Sequence, residues 1–240
     1  MSLKNKIRVF ARGLGIEVNR YNTAQSHAAR VGAQLACHSV DCVVDVGAND
    51  GGYGEFIRST GFKGSILSFE PQADAHRRLL AKRQGDTAWH IAPRMALGDA
   101  EAELEINVAG NSTSSSLLSM LPSHVESAPE SSCIGKEKVS VHRLDSVNEP
   151  SLNVAQRIYL KVDTQGYEMP VLLGARGLME RIVGVQVEMS VIPLYQGQVL
   201  YRELLDWFDK AGFEMWGLEP GFMNQKTGQM LQFDGIFFRK

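Results

Sequence analysis

From Asp41 onward, short runs of Val, Ile, Leu and Phe alternate with longer stretches in which apolar residues recur three and four positions apart. The runs predict strands and the stretches amphipathic helices, the rhythm of repeated βαβ units around a mainly parallel sheet. Strands are expected at 42–47 (CVVDVG), 65–70 (SILSFE), 88–93, 103–109 (ELEINVA), 139–144 (VSVHRL), 157–163 (RIYLKVD) and 183–190, and two more at 214–219 and 231–239. Helices are expected within 51–61, 72–84, 167–182 and 199–212, with Gly61, Gly85 and Gly212 at their stops. The last two strands, joined by a glycine-containing connection, read as an antiparallel hairpin.

Two segments stand outside this rhythm. Residues 1–40 read as one or two helices capping the domain, with Ile7, Phe10, Leu14, Val31 and Leu35 as their apolar positions. Lys4, Lys6, Arg8 and Arg12 would also suit a membrane-surface helix, but a cap is the favoured reading. Residues 110–136 are rich in Ser, Pro and Gly and read as a long mobile insertion, of which Asn111–Leu118 is expected to act as a lid.

Composition narrows the class. With 240 residues, 44% hydrophobic and 22% charged, one globular domain over 41–240 is the default. No run approaches the ~20 apolar residues that span a bilayer, and the start lacks the apolar block of a secretory signal, so a cytoplasmic location and no stable membrane insertion are expected. Cys37, Cys42 and Cys133 have no CxxC spacing and suggest neither disulfides nor zinc. A net charge of −2 gives little attraction to phosphate backbones, so the expected partner is a small-molecule or saccharide acceptor rather than nucleic acid.

The strongest local signal is VVDVGANDGGYGEF, where a buried strand runs through Gly47, Asn49, Gly51 and Gly52 into a helix. Such a turn offers unpaired N–H groups to a carboxylate or phosphate. Asn49 stands where a dinucleotide fold wants its second glycine, which opposes an NAD-dependent oxidoreductase. S-adenosylmethionine fits part by part. Asp45 can accept from the ammonium, the turn amides can hold the carboxylate, and Glu70, about 20 residues on, is placed to grip two ribose hydroxyls. Met95, Ala96 and Leu97 would either face the adenine or pack in the core, and Ala48 and Pro71 flank the same contacts.

DVGANDGGYGEF, FEP, ALGD, NSTSSSL, LDS, LKVDTQGYEMPVLLGA, VEMS with LYQG, and the terminal DGIFFR together resemble, in order, the FkbM family of class I methyltransferases. The resemblance covers roughly 41–240. It implies a Rossmann-like α/β fold, a seven-stranded, mostly parallel sheet with an antiparallel last strand and helices on both faces. It also implies S-adenosylmethionine at the sheet's C-terminal edge and O-methylation of a sugar or natural product. By motif match, Asp45, Gly47, Asn49, Gly51, Tyr53, Glu70 and Asp163 are where cofactor contacts would carry over. Thr164–Gln165 departs from the family pattern.

A hydroxyl acceptor must be aligned behind the methyl group and lose a proton. Lys161 and Asp163, two apart on one strand, share a side, and Asp163 is the first choice beside the transferring methyl, with Glu188 second. The Lys161–Asp163 pair could instead be a structural ion pair near the sheet edge, and Glu188 could likewise be structural. Asp163, Glu188 and Asp234 could hold Mg²⁺, which is not favoured, and no metal ligand is assigned. His142 reads as structural more than basic, and Tyr195, with Trp207 and Trp216, could wall an acceptor pocket. A non-catalytic cofactor-binding module stays open, whereas an amino-methyltransferase of nucleic acid is opposed by Asp163-Thr-Gln-Gly in place of a Pro-Pro-Tyr run.

Overall fold

The five residues Cys42–Val46 are all buried, the mark of a central parallel strand covered on both faces. In the computed structural model, which describes residues 3–16, 18 and 20–240, this strand (β1) is an interior strand of a seven-stranded sheet. The other strands are β2 (Ser65–Phe69), β3 (Trp89–Ile91), β7 (Ile158–Val162), β8 (Ile182–Ser190), β9 (Phe213–Pro220) and β10 (Gln232–Arg239), in the order β3-β2-β1-β7-β8-β10-β9. β3, β2, β1, β7 and β8 run parallel, and β10 pairs antiparallel with both β8 and β9, the expected closing hairpin.

Helices α1 (Leu3–Gly13), α2 (His27–Cys37), α3 (Gly52–Ser59), α4 (Ala73–Lys82), α5 (Pro122–Ser127), α6 (Pro150–Val154), α7 (Glu168–Gly174) and α8 (Tyr201–Lys210) complete the described chain. Val31 of α2, Ile57 of α3 and Leu79 of α4 pack with Val43, Ile66, Tyr159 and Phe238 on one face of the sheet. Leu152, Val171, Leu172, Leu204 and Phe208 of α6, α7 and α8 pack with Val44, Leu160 and Val185 on the other. Residues 1–40 therefore divide: α2 is a layer of the domain, while α1 buries only Ala11 among its described side chains.

Two expectations about the middle of the chain need correction. Strands 103–109 and 139–144 do not extend the main sheet. With β4 (Ala96–Leu97) they form a second sheet, β4-β6-β5, in which β5 is Ala102–Ala109 and β6 starts at Cys133 and runs to His142. Nor is 110–136 an irregular insertion, since it holds α5, a 3₁₀ turn and the first residues of β6. Its serines read as loop formers but are used internally: the Ser115 hydroxyl accepts from the Ala109 N–H at 2.9 Å, and the Ser116 hydroxyl donates to the Gln165 carbonyl at 2.7 Å. Satisfied in this way, Ser114, Ser115 and Ser116 can be buried.

α7 is also shorter than its apolar period suggested, ending at Gly174 before a 3₁₀ turn at Arg176–Leu178. A Cβ on Gly174 would lie 1.9 Å from the Gly98 carbonyl oxygen, so here the main chain of one segment lies directly on another.

Candidate active site

The chain leaves β1 toward β2 and β3 on one side and returns to β7 on the other, so the carboxyl ends of β1 and β7 flank the switch point where open α/β sheets hold ligands. The turn after β1 is built from left-handed backbone: φ is +80° at Gly47, +47° at Asn49 and +89° at Gly51. A Cβ on Gly47 would lie 1.8 Å from the carbonyl oxygen of Asp163, so glycine is required by contact as well as by φ. The Asp163 N–H donates to the Val46 carbonyl at 3.0 Å, which locks the two strand ends side by side.

Glu70 is pinned across this turn. One carboxylate oxygen accepts from the Asn49 N–H and the other from the Gln72 N–H, both at 2.8 Å. Burial outweighs these two bonds and raises its pKa to about 7. A cavity of about 110 Å³ lies against the turn, and Gly47, Asn49, Glu70, Pro71, Ala96, Leu97 and Asp163 line it. Ser112, Thr113, Ser115 and Ser116 form its cover, with the Ser112 carbonyl accepting from the Gln72 amide at 3.1 Å.

Four residues expected at the cofactor do not line this cavity. Asp45 points to the opposite side of β1, 1% exposed, where it accepts from the Ser68 hydroxyl at 3.3 Å and burial raises its pKa to about 6. Ala48 is buried in the core cluster beside α3. A Cβ on Gly51 would press on Leu79 and Trp89. Tyr53 donates to the Gln186 side chain at 2.8 Å, and Lys161 Nζ stands 5.4 Å from its ring centroid.

On the far side of Asp163, side chains from separate segments form a buried polar network. Lys161, 4% exposed, meets Asp163 at 3.0 Å. Burial alone would lower its pKa, but Asp163, Asp234, Glu188 and Asp45 outweigh that and hold the ammonium well above the ordinary lysine value. The Gln165 amide donates to Asp163 at 2.8 Å and to Glu188 at 2.7 Å, and Gln232 donates to the same Glu188 oxygen at 2.7 Å. Burial and the neighbouring carboxylates push Glu188 well above the usual carboxylate range. Tyr195 fixes Gln165 from behind, donating within 2.9 Å of its side-chain oxygen. Beneath the turn after β7, the Glu168 carboxylate accepts from the Thr164 and Gly166 N–H groups at 3.1 and 3.0 Å.

A second cavity, of about 340 Å³, opens on this network and is lined by Asn111, His124, Glu188, Phe222 and Gln232 among others. It shares Thr113, Asp163 and Gln165 with the first. His124 is 2% exposed, stacks on Phe222, and its Nδ1 has no hydrogen-bond partner. Burial lowers its pKa, so the ring is held neutral.

Asp163 and Glu188 are thus joined through Gln165, whereas Asp234 is engaged elsewhere, accepting from the Gln186 amide at 2.7 Å. Among the described residues no group of three His, Cys, Asp or Glu side chains is placed to share a metal ion. His142 pairs with Glu101 at 2.6 Å on the small sheet and lines neither cavity. Trp207 packs against Phe208 and Trp216 lies over Phe238, so neither walls a pocket with Tyr195. Sequence reasoning missed Gln165, Glu168, Gln186, Gln232 and His124 as parts of the site. The available signal for Gln186 and Gln232 was a polar residue within a strand otherwise apolar on both faces.

A β3-β2-β1-β7-β8-β10-β9 sheet with a left-handed turn after β1 and an acid directly following β2 defines a class I S-adenosylmethionine-dependent methyltransferase. The chain belongs to the FkbM methyltransferase family, whose methyltransferase FkbM domain matches residues 45–215. No curated protein matches the chain. Similar solved structures include magnesium protoporphyrin IX methyltransferase (ChlM) from Synechocystis PCC 6803 with bound SAM, 9% identical, with 100% of this chain and 98% of that chain covered at a TM-score of 0.49. TehB from Haemophilus influenzae is 11% identical, with 92% and 64% covered and a TM-score of 0.49. The methyltransferase domain of bacterial CtHen1-CN is 12% identical, with 91% and 100% covered and a TM-score of 0.47.

Proposed function

We propose that the first cavity holds S-adenosylmethionine and the second a small hydroxylated acceptor, a sugar or a glycan- or lipid-linked saccharide included, which the chain O-methylates. The observation that carries this reading is that the two cavities meet at Asp163, Gln165 and Thr113. A donor and an acceptor lying on either side of one such wall can be aligned for in-line transfer.

The donor supplies an electrophilic methyl group and leaves as S-adenosylhomocysteine once its sulfur–methyl bond is replaced by an oxygen–methyl bond. Glu70, ionised, accepts from ribose hydroxyls with the lone pairs its two backbone bonds leave open. Ala96 and Leu97 pack on the adenine, and Asp163 stands beside the methyl. Glu188 takes the acceptor's proton, its carboxylate made more basic by burial and by the carboxylates beside it. Gln165 and Gln232 hold it in place while Lys161 balances the carboxylates. Since Asp163, Glu188 and Asp234 are each bound within the protein, no step is assigned to Mg²⁺.

Calorimetry with S-adenosylmethionine and S-adenosylhomocysteine tests the donor half, and failure to bind either one sinks it. A labelled-methyl assay over hydroxylated sugars and glycolipids tests the acceptor half, which turnover on amines alone would overturn.

A further inference from the structure

Among the described residues no helix is long and apolar enough to cross a membrane, yet α1 exposes an apolar stripe that none of the described residues covers. Ile7, Phe10 and Leu14, three and four residues apart, are 50%, 71% and 63% exposed. The exposed apolar surface continues past the helix through Ile16 and Tyr21, 55% and 69% exposed. Eleven residues are too few for a helix to persist alone in water, so α1, which buries only Ala11, needs a surface to lie on.

Charge says which surface. The helix LKNKIRVFARG has four basic residues and no acidic one, so the chain's net −2 is +4 here against −6 elsewhere. Arg8 donates to the Val18 carbonyl at 3.2 Å, a bond that leaves its charge in place. A nucleic acid would meet the cations and leave Phe10 in water. A second copy of α1 would cover Phe10 and set like charges together. An anionic bilayer meets both needs, with the apolar stripe among the acyl chains and the cations at the headgroups.

We infer that α1 is an interfacial helix that docks this enzyme on anionic lipid bilayers, with the acidic body turned away from the surface. This inference is independent of the methyl-transfer reading, because its deciding readout is partitioning onto vesicles.

The experiment is cosedimentation of the full chain with vesicles of phosphatidylcholine alone and of an equal mixture with phosphatidylglycerol. The chain is expected to pellet with the mixed vesicles, less as salt is raised, and not with phosphatidylcholine. Phe10→Asp and Leu14→Asp should each weaken partitioning by about tenfold or more, and Lys6→Glu by roughly fivefold or more. Since these side chains are exposed, melting temperature and S-adenosylhomocysteine affinity should not move in any variant. The inference fails if the chain stays in the supernatant, pellets equally with neutral lipid, or pellets unchanged in the Asp variants. It also fails if α1 instead drives self-association in sedimentation without vesicles, or binds polyglutamate or duplex DNA in preference to the mixed vesicles.

Discussion

The two sides of Asp163 are built from different materials. On the donor side the fixed elements are main chain: a left-handed turn in which Gly47 lies on the Asp163 carbonyl, and backbone N–H groups that hold both oxygens of Glu70. On the acceptor side they are side chains, carboxylates and amides from β7, β8, β10 and the connection through α5. A donor common to many reactions suits a surface that side-chain exchange cannot easily alter. An acceptor that differs from enzyme to enzyme suits one that single substitutions reshape. This contrast says that damage on the donor side should register as lost fold or lost donor affinity, and damage on the acceptor side as lost turnover.

The largest effect should come from Gly47→Ala, because the added methyl meets a backbone carbonyl and a left-handed φ together. A loss of about 4 kcal/mol in urea unfolding is expected, and near-parental stability would show that the donor side does not depend on that close contact. Lys161→Met comes next, at about 3 kcal/mol, since it strands Asp163 and its neighbouring carboxylates without their cation in a buried site. Because those carboxyls can then protonate, the deficit should shrink on acidification. A deficit that is the same at pH 8 and pH 6 would argue against that cause.

Glu70→Gln should leave the fold intact and weaken S-adenosylmethionine binding by about 2 kcal/mol, roughly thirtyfold by calorimetry. An unchanged Kd would move the ribose elsewhere. Acidity should divide stability from affinity. Asp45, Glu70 and Glu168 have folded-state pKa values raised to about 6, 7 and 7, so the native state holds more protons than the unfolded chain and loses stability as pH rises through that range. Between about pH 8 and pH 6.5, acidification should therefore raise Tm while it weakens donor binding, because protonated Glu70 accepts fewer hydrogen bonds. Below that range His124, which burial holds neutral, begins to oppose folding. Parallel movement of Tm and donor affinity would contradict the assignment of Glu70.

The smallest expected change is Tyr195→Phe, which removes donation to Ser114 and Gln165 at a cost of about 1 kcal/mol. Turnover should fall several-fold while donor affinity stays put. If donor affinity falls with it, the two sides are not separable at Asp163.

The donor side was also the more legible of the two. Gly47, Asn49 and Glu70 announce themselves because a glycine turn between a strand and a helix, followed by an acid ending the next strand, is a local pattern with a local cause. Lys161, Asp163 and Glu188 were readable as polar residues at the carboxyl ends of apolar strands. Asp45, Ala48, Gly51 and Tyr53 were read by the same proximity and line neither of the two cavities, because a strand's alternate residues face opposite sides and a helix turns its first residues inward. His124 gave no signal, since one histidine in a serine- and proline-rich stretch has no periodicity to place it.

Strand and helix periods, the turn after β1 and the acid at the end of β2 are properties of contiguous residues, so the sequence alone determined the α/β sheet and the turn proposed to hold the donor. Only the tertiary structure decided that β5 and β6 leave that sheet for one of their own, and that buried serines close over the donor cavity. It also decided that Gln165, Glu188, Gln232 and His124 face one space. The reason is that hydrogen bonds between side chains many residues apart depend on how the strands are ordered, and no local period records that order.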